Sequence, residues 1–238
     1  NAFAHKGGMH IAAVSRDPRT FEHVDPALVG NTPHVLVSEL SGRATIDRRV
    51  SELGLAEAGG KDLTRRVLKR VKEREHQGYH YEAADASFEL LLRNESGTSV
   101  EFFRLESFRV IVEKREDGET VSEATVKVHV NGDRFIQTAE GNGPVNALDK
   151  ALRQAIERRF PLVHDIRLVN YSVRILDENK GTAAKTRVLI DSSDGRGSWG
   201  SVGVDVNVVE ASWQALVDSI RFGLLRLQYE GTMKGESE

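Results

Sequence analysis

Twice after residue 100 the chain passes through three stretches of alternating apolar and polar residues and then one stretch with helical spacing. Alternation at period two marks half-buried strands, whereas apolar residues at i, i+4 and i+8 line one face of a helix. In the first pass Phe103, Leu105, Phe108, Val110 and Val112 predict a long strand; its alternation slips once between Leu105 and Phe108, as at a β-bulge. Asp117-Gly118 predicts a hairpin, Val121 to Val130 a second strand, Asn131-Gly132 another hairpin, and Arg134 to Ala139 a third strand. Gly143 then caps a helix with Pro144 at its first position, where the missing N–H costs nothing. Val145, Leu148, Leu152 and Ile156 form its buried stripe, and Pro161 ends it. The second pass predicts strands over Ile166 to Leu176, Lys185 to Asp191 and Trp199 to Val206. Its helix opens on the capping pair Asn207 and Glu210 and turns Val209, Trp213, Leu216, Ile220 and Leu224 inward.

Sliding one pass over the other by about 64 positions sets Ala147 over Ala211, Ala151-Leu152 over Ala215-Leu216 and Ile156 over Ile220. Ala and Leu are common in helices, so the matched order of elements carries more weight than these identities. Residues 101–230 read as a pseudo-twofold βββα–βββα domain of the α+β class. One helix per sheet leaves sheet surface to be covered, so a homodimer is expected.

Upstream, residues 1–60 are broken by Gly7-Gly8, Asp17-Pro18, Asp25-Pro26, Gly30-Asn31, Ser41-Gly42-Arg43 and Gly59-Gly60 into brief helices and turns, a linker subdomain that wraps another domain. Residues 61–100 form a helical linker subdomain. Its first helix runs from Asp62 to His76 with Leu63, Val67 and Val71 inward and Gly78 as the stop. Its second runs from Glu82 to Arg93 with Ala84, Phe88 and Leu91 or Leu92 inward, and Asn94 to Ser99 is the domain boundary. Residues 231–238 read as a flexible tail. The start at Asn1 has neither an initiator methionine nor a signal-peptide pattern, so the chain reads as a piece of a longer polypeptide.

A net charge of −3 argues against an overall basic nucleic-acid binder. The absence of cysteine excludes a disulfide scaffold, a zinc ribbon and a cysteine nucleophile, and it suits a reducing, cytoplasmic setting. No apolar run reaches the roughly 18 residues of a membrane helix, so no membrane span is expected.

Three places offer chemistry. His5 and His10 titrate near neutral pH, but their five-residue spacing across Gly7-Gly8 is not that of a two-histidine metal face, and no metal site is assigned. Acid–base catalysis and ordinary hydrogen-bonded loop histidines both fit them, and Ser41-Gly42-Arg43 reads as a turn rather than a nucleophile, having no base beside it. Arg65 to Lys72 concentrates positive charge able to meet nucleic acid or phosphates, yet Glu73 and Glu75 follow and no aromatics interleave, so a solvated helix face is the better reading. The loops holding Asn142-Gly143 and Asp205 to Asn207 border helix N-termini, whose free N–H groups suit an amino-acid carboxylate; Asp205 offers a counter-charge to an ammonium, and Thr182, Ala183 and Ala184 leave room for an aliphatic side chain. Plain helix capping explains the same loops without a ligand and is the better reading of these residues alone.

Ala2-Phe3-Ala4-His5-Lys6-Gly7-Gly8-Met9-His10, Phe21-Glu22-His23-Val24-Asp25-Pro26-Ala27-Leu28-Val29-Gly30-Asn31 and Ser38-Glu39-Leu40-Ser41-Gly42-Arg43 resemble, in order and spacing, the segment after the catalytic barrel in the 2-isopropylmalate, homocitrate and citramalate synthase family. Glu106 to Lys114, Glu140 to Leu148 and Gly181 to Val188 resemble the family's regulatory domain, and the wording is nearest the citramalate branch. The resemblance covers essentially the whole chain.

It implies an enzyme that condenses acetyl-CoA, as substrate, with a 2-oxo acid, pyruvate in the citramalate branch. A divalent metal would sit in a barrel outside this sequence, and no cofactor is expected in the chain itself. The chain would then be a dimerising regulatory part, inactive alone, acting on its own N-terminal barrel. Its effector would be a branched-chain amino acid: isoleucine for the citramalate branch, leucine for the isopropylmalate branch. Asn142, Gly143, Thr182, Ala183, Ala184, Asp205 and Asn207 become the expected effector pocket. His10 matches the family histidine associated with acetyl-CoA activation, and Phe21 stands where some relatives have tyrosine, so any role of that hydroxyl is absent. A stand-alone amino-acid-binding module and a nucleic-acid adaptor using the 65–72 helix are the competing readings.

Overall fold

The computed structural model describes residues 4–5, 34–35, 43–60 and 62–235. The chain divides into two compact units, 1–99 and 100–238.

In the first unit β1 (Ala4–His5) pairs in parallel with β2 (His34–Val35). Four helices follow: α1 (Arg43–Glu52), α2 (Ala56–Gly59), α3 (Leu63–Gln77) and α4 (Asp85–Ser96). Ile46 and Val50 of α1, Leu63, Val67 and Val71 of α3, and Phe88 and Leu92 of α4 are buried, as are Leu55 and Tyr81 between helices. Each such side chain contributes roughly 1.5–3 kcal/mol of burial. α3 and α4 stop by one device: Gly78 (φ 109°) and Gly97 (φ 77°) take the left-handed region a side chain resists. The following N–H groups, of Tyr79 and Thr98, reach back to the carbonyls of Arg74 and Arg93. α4 begins three residues later than its sequence predicts and runs into the expected boundary. Tyr81, 4% exposed, is drawn inward against Phe88 (ring centroids 5.8 Å apart), which keeps the chain before Ala84 out of the helix.

The second unit holds the repeat. β3 (Arg104–Lys114), β4 (Thr120–Val130) and β5 (Asp133–Gly141) form an antiparallel sheet with β4 central, followed by α5 (Pro144–Ile156). β6 (Arg167–Ile175), β7 (Thr186–Ser193) and β8 (Ser198–Asp205) form a second antiparallel sheet with β7 central, followed by α6 (Val208–Gly235). This is the expected βββα–βββα repeat of the α+β class.

The register repeats too. Phe108 faces Val126 as Tyr171 faces Ile190, and Ala124 faces Ala139 as Val188 faces Gly203. The predicted bulge in β3 lies between Leu105 and Ser107, and β6 has its counterpart between Leu168 and Asn170. At the β4–β5 hairpin Asn131 (φ 50°) and Gly132 (φ 89°) both take positive φ, the turn whose twist suits paired strands.

α5 lies on β4 and β5, and α6 on β7 and β8. Ala147, Leu148, Ala151, Leu152, Ala155 and Ile156 are at most 1% exposed, as are Ala124, Val126, Val128 and Val130 beneath them. Val145 and Val209 are only half-buried, because each sits in the first turn at the rim of its sheet. Val112, expected inside, is 56% exposed because α5 lies over β4 and β5 and leaves the edge strand β3 uncovered. α5 ends at Ile156, before Pro161, which instead opens a short 3₁₀ helix over Pro161–Asp165.

Candidate functional site

The two loops singled out by sequence occupy equivalent ends of the two sheets. In the first half β5 ends at Gly141, where a Cβ would lie 2.5 Å from the Ala147 nitrogen, so only glycine lets the strand turn this tightly into the helix. The Asn142 N–H donates to Asn146 Oδ1 at 3.2 Å, and the Gly143 carbonyl accepts from Ala147 N–H at 3.0 Å. No side chain caps α5. In the second half Asp205 Oδ1 accepts from Asn207 N–H at 2.8 Å, and Asn207 Oδ1 accepts from Val209 N–H at 2.9 Å and Glu210 N–H at 3.4 Å. Asn207 therefore caps α6, whereas the first-turn donors of α5 meet no side-chain acceptor. Those donors and the helix dipole favour an incoming carboxylate.

Thr186 pairs with Asp205, so the short 3₁₀ helix Glu178–Ala183 and Ala184 lie at the same end of the second sheet as Asp205 and Asn207. Thr182 and Ala183 are exposed and Ala184 is 5% exposed. Asn142 and Gly143 belong to the other sheet, and no hydrogen bond among the described residues joins the two loops. His10, Phe21, Gly7-Gly8 and Ser41-Gly42 lie outside the described residues. In the basic run of α3, Arg65 pairs with Asp62 at 3.2 Å and Arg70 with Glu73 at 3.4 Å, while Arg66 Nη2 donates to the carbonyl of Glu95 at 2.9 Å. These contacts disperse the charge along the helix.

Two polar clamps escaped the sequence reading. Glu106, at the β3 bulge, accepts from Arg134 Nε at 2.6 Å and Arg134 Nη2 at 2.7 Å, and its second contact is His129 Nε2 at 3.0 Å. One carboxylate thereby ties β3, β4 and β5. The Arg134 hydrogen bonds chiefly hold the Glu106 carboxyl down at about 2. At the β7–β8 turn, Asp194 accepts from the N–H groups of Arg196 (2.9 Å) and Gly197 (2.8 Å) and from Arg226 Nε (3.0 Å) of α6. Burial alone would raise its carboxyl, but Arg226 and the two N–H groups outweigh that and hold it below the usual range. A bulge next to an acidic residue, and a basic residue after a hairpin, are the only sequence signals for the first clamp; the second joins residues 32 apart and leaves none.

Among the described residues no cluster of His, Cys, Asp or Glu could hold a metal ion, and no helix is long and apolar enough to cross a membrane.

Comparison with known proteins places these features. Residues 82–224 match the LeuA allosteric (dimerisation) domain, and residues 1–78 match the homocitrate synthase post-HMGL domain-like family. The chain is 54% identical to an (R)-citramalate synthase of Streptomyces coelicolor over 95% of its own length and 42% of that protein's. It is 48% identical to one of Geobacter sulfurreducens over 98% of its length and 45% of the relative's. It is 30% identical to a 2-isopropylmalate synthase of Aquifex aeolicus over 96% and 42% respectively. The chain thus spans less than half the length of these relatives. With the paired βββα halves in place, it belongs to the LeuA allosteric (dimerisation) domain family, joined to a post-HMGL segment of the homocitrate synthase type.

Proposed function

We propose that this chain is the dimerising, effector-sensing part of an (R)-citramalate synthase, a transferase that joins acetyl-CoA to pyruvate. The observation that carries the reading is likeness to proteins of that name over nearly the whole chain, at 54% and 48% identity. The metal chemistry belongs to a barrel that these residues do not form, so no catalytic step is assigned to the described residues. His10 is the residue proposed to reach the acetyl-CoA.

Dimerisation follows from what each helix leaves uncovered. The register sets Tyr171, Val173 and Ile175 on the face of the second sheet that also carries Ile190, Val188 and Thr186, the face under α6. α6 lies over β7 and β8, so Tyr171, Val173 and Ile175 stay 38%, 45% and 52% exposed. In the first half Phe108 is partly covered by Trp213 of α6 (ring centroids 5.2 Å apart), while Val112 stays 56% exposed. A second copy laid against these strips would bury several apolar side chains, each contributing roughly 1.5–3 kcal/mol when fully covered.

The effector site is proposed at the strand-end loops. The uncapped first turn of α5, with Asn142 and Gly143, takes the carboxylate. Asp205 faces the ammonium, and Thr182, Ala183, Ala184 and Asn207 border the aliphatic side chain. As the two loops lie on different sheets, the pocket completes itself across the pseudo-twofold axis or the dimer. An effector that binds one arrangement of the halves more tightly biases the attached barrel toward that state.

Titration calorimetry with isoleucine and with leucine tests the assignment. Saturable isoleucine binding, with leucine at least about tenfold weaker, is expected. Leucine preference would move the chain to the isopropylmalate branch, and no heat from either would remove the effector site.

A further inference from the structure

The second unit opens at Val100, and β3 begins at Arg104. Val100 to Phe103 belong to no helix or strand, yet Phe102 and Phe103 are both buried. Phe102 meets Phe160, just beyond α5, edge to face with ring centroids 5.5 Å apart. Phe103 is held from the other half of the repeat. Arg221 of α6 donates through Nη2 to the Phe103 carbonyl at 2.8 Å, and its guanidinium carbon lies 5.2 Å from the Phe103 ring centroid. Trp213, earlier on the same helix, packs on Phe108 of β3. α6 thus grips the first strand of the opposite half both along its length and at its entry.

Packing alone does not call for an arginine here. Its Nε is buried and has no hydrogen-bond partner among the described residues. Burial chiefly holds its guanidinium below the usual value, against the opposing charges of Asp218 and Glu101. A methionine would cover the Phe103 ring without burying a charge. A contact held at such a cost opens more readily than the apolar seam beside it.

α6 also joins this contact to the effector loops. It starts at the Asn207 cap, and Arg221 lies about 20 Å further along the same helix. Packed helices shift as bodies, so a tilt imposed at the capped end is carried to Arg221.

We propose that Arg221 is a latch holding residues 100–103 on α6, and that an amino acid bound at the effector loops tilts α6 and releases it. The latch stands on the contacts above; its link to an amino acid rests on the effector reading. Once Arg221 lets go, the segment that leads back to residue 99 and the first unit is free to move.

The chain has no cysteine, so Val100→Cys, at an exposed position, carries a single spin label on the whole chain. Paramagnetic resonance is expected to show an ordered label that saturating isoleucine frees. With Arg221→Met added, the label is expected to be free without isoleucine and insensitive to it. Because that variant no longer spends binding energy on release, it should bind isoleucine about fivefold or more tighter by calorimetry. Circular dichroism identical to the parent and an unfolding midpoint no lower establish that Arg221→Met folds. Equal label motion in the parent and in folded Arg221→Met overturns the latch. Isoleucine that binds with saturable heat but leaves the label ordered overturns its link to the effector. No isoleucine heat removes the effector reading and that link together, while the label in Arg221→Met still decides the latch.

Discussion

In the first half of the repeat the helix rests on its sheet through an apolar seam; in the second the same seam is threaded with hydroxyls and glycine. Under α5 the central strand presents Ala124, Val126, Val128 and Val130, all fully buried. Under α6 the central strand keeps buried Val188 and Ile190 but adds Ser192, and β8 beside it contributes Ser201 and Gly203. There Ser201 Oγ donates to the Ala215 carbonyl at 2.7 Å, and Ser219 Oγ donates to Ser192 Oγ at 2.6 Å. Trp199 Nε1 donates to the Ser219 carbonyl at 3.1 Å. The glycine explains the difference. A Cβ on Gly203 would lie 1.9 Å from the Ala211 carbonyl oxygen, so α6 approaches β8 more closely than a side chain allows. At Gly203 no side chain fits between helix and strand, and the buried hydroxyls near this approach must bond to one another or to helix carbonyls. Ala139 occupies the equivalent position in the first half. One topology is thus held by two kinds of contact, one governed by volume and the other by approach distance and hydrogen bonding.

The bulges diverge in the same way. Glu106 turns the first bulge into a three-strand clamp, whereas the second bulge lies beside Val169, 59% exposed. The second half places its clamp at the β7–β8 turn instead, through Asp194 and Arg226.

Substitutions separate the two kinds of contact. The largest loss is expected from Leu152→Ala in the apolar seam, about 2–5 kcal/mol by urea unfolding, because the cavity cannot be filled by its fixed neighbours. Gly203→Ala should cost about 1–3 kcal/mol or more, since backbone atoms must shift, while the mirror change Ala139→Gly should cost about 0.5–1 kcal/mol. Equal costs at the two positions would erase the distinction. Ser219→Ala should cost about 1 kcal/mol, because Trp199 keeps the backbone carbonyl while the Ser192 bond and the second Trp199 contact, to Ser219 Oγ at 3.2 Å, are lost.

The smallest effect is the Glu106 clamp's. Its carboxyl is depressed from 4.5 to about 2, so its contribution is full above the unfolded value and is lost as pH falls through the window from 4.5 down to about 2. Acid unfolding followed across that window should be shallower in Glu106→Gln than in the parent. Identical profiles would mean that Glu106 does not couple to folding.

The elements of the repeat were readable because period two and helical spacing depend on single side chains, and Asn131-Gly132 and Gly143-Pro144 punctuate them. The β3 bulge showed as one slip of alternation. What could not be read depends on how closely separate elements approach. Gly203 has no local signature of the helix above it, and Asp194 meets Arg226 across the fold. The late start of α4 reflects Tyr81 being claimed by the core, a tertiary effect that outweighs local helix preference. Of the effector loops, the capping role of Asn207 was visible in its spacing to Glu210, but the uncapped state of α5 was not.

One helix per sheet leaves apolar strips bare, and a second copy is what they are proposed to meet. Sedimentation equilibrium of the parent and of Val173→Asp tests this most directly. A parent species of twice the 26.4 kDa chain mass, and a folded Val173→Asp at the single-chain mass, is the predicted result. A monomeric parent at all concentrations, or a Val173→Asp that remains dimeric, would contradict it.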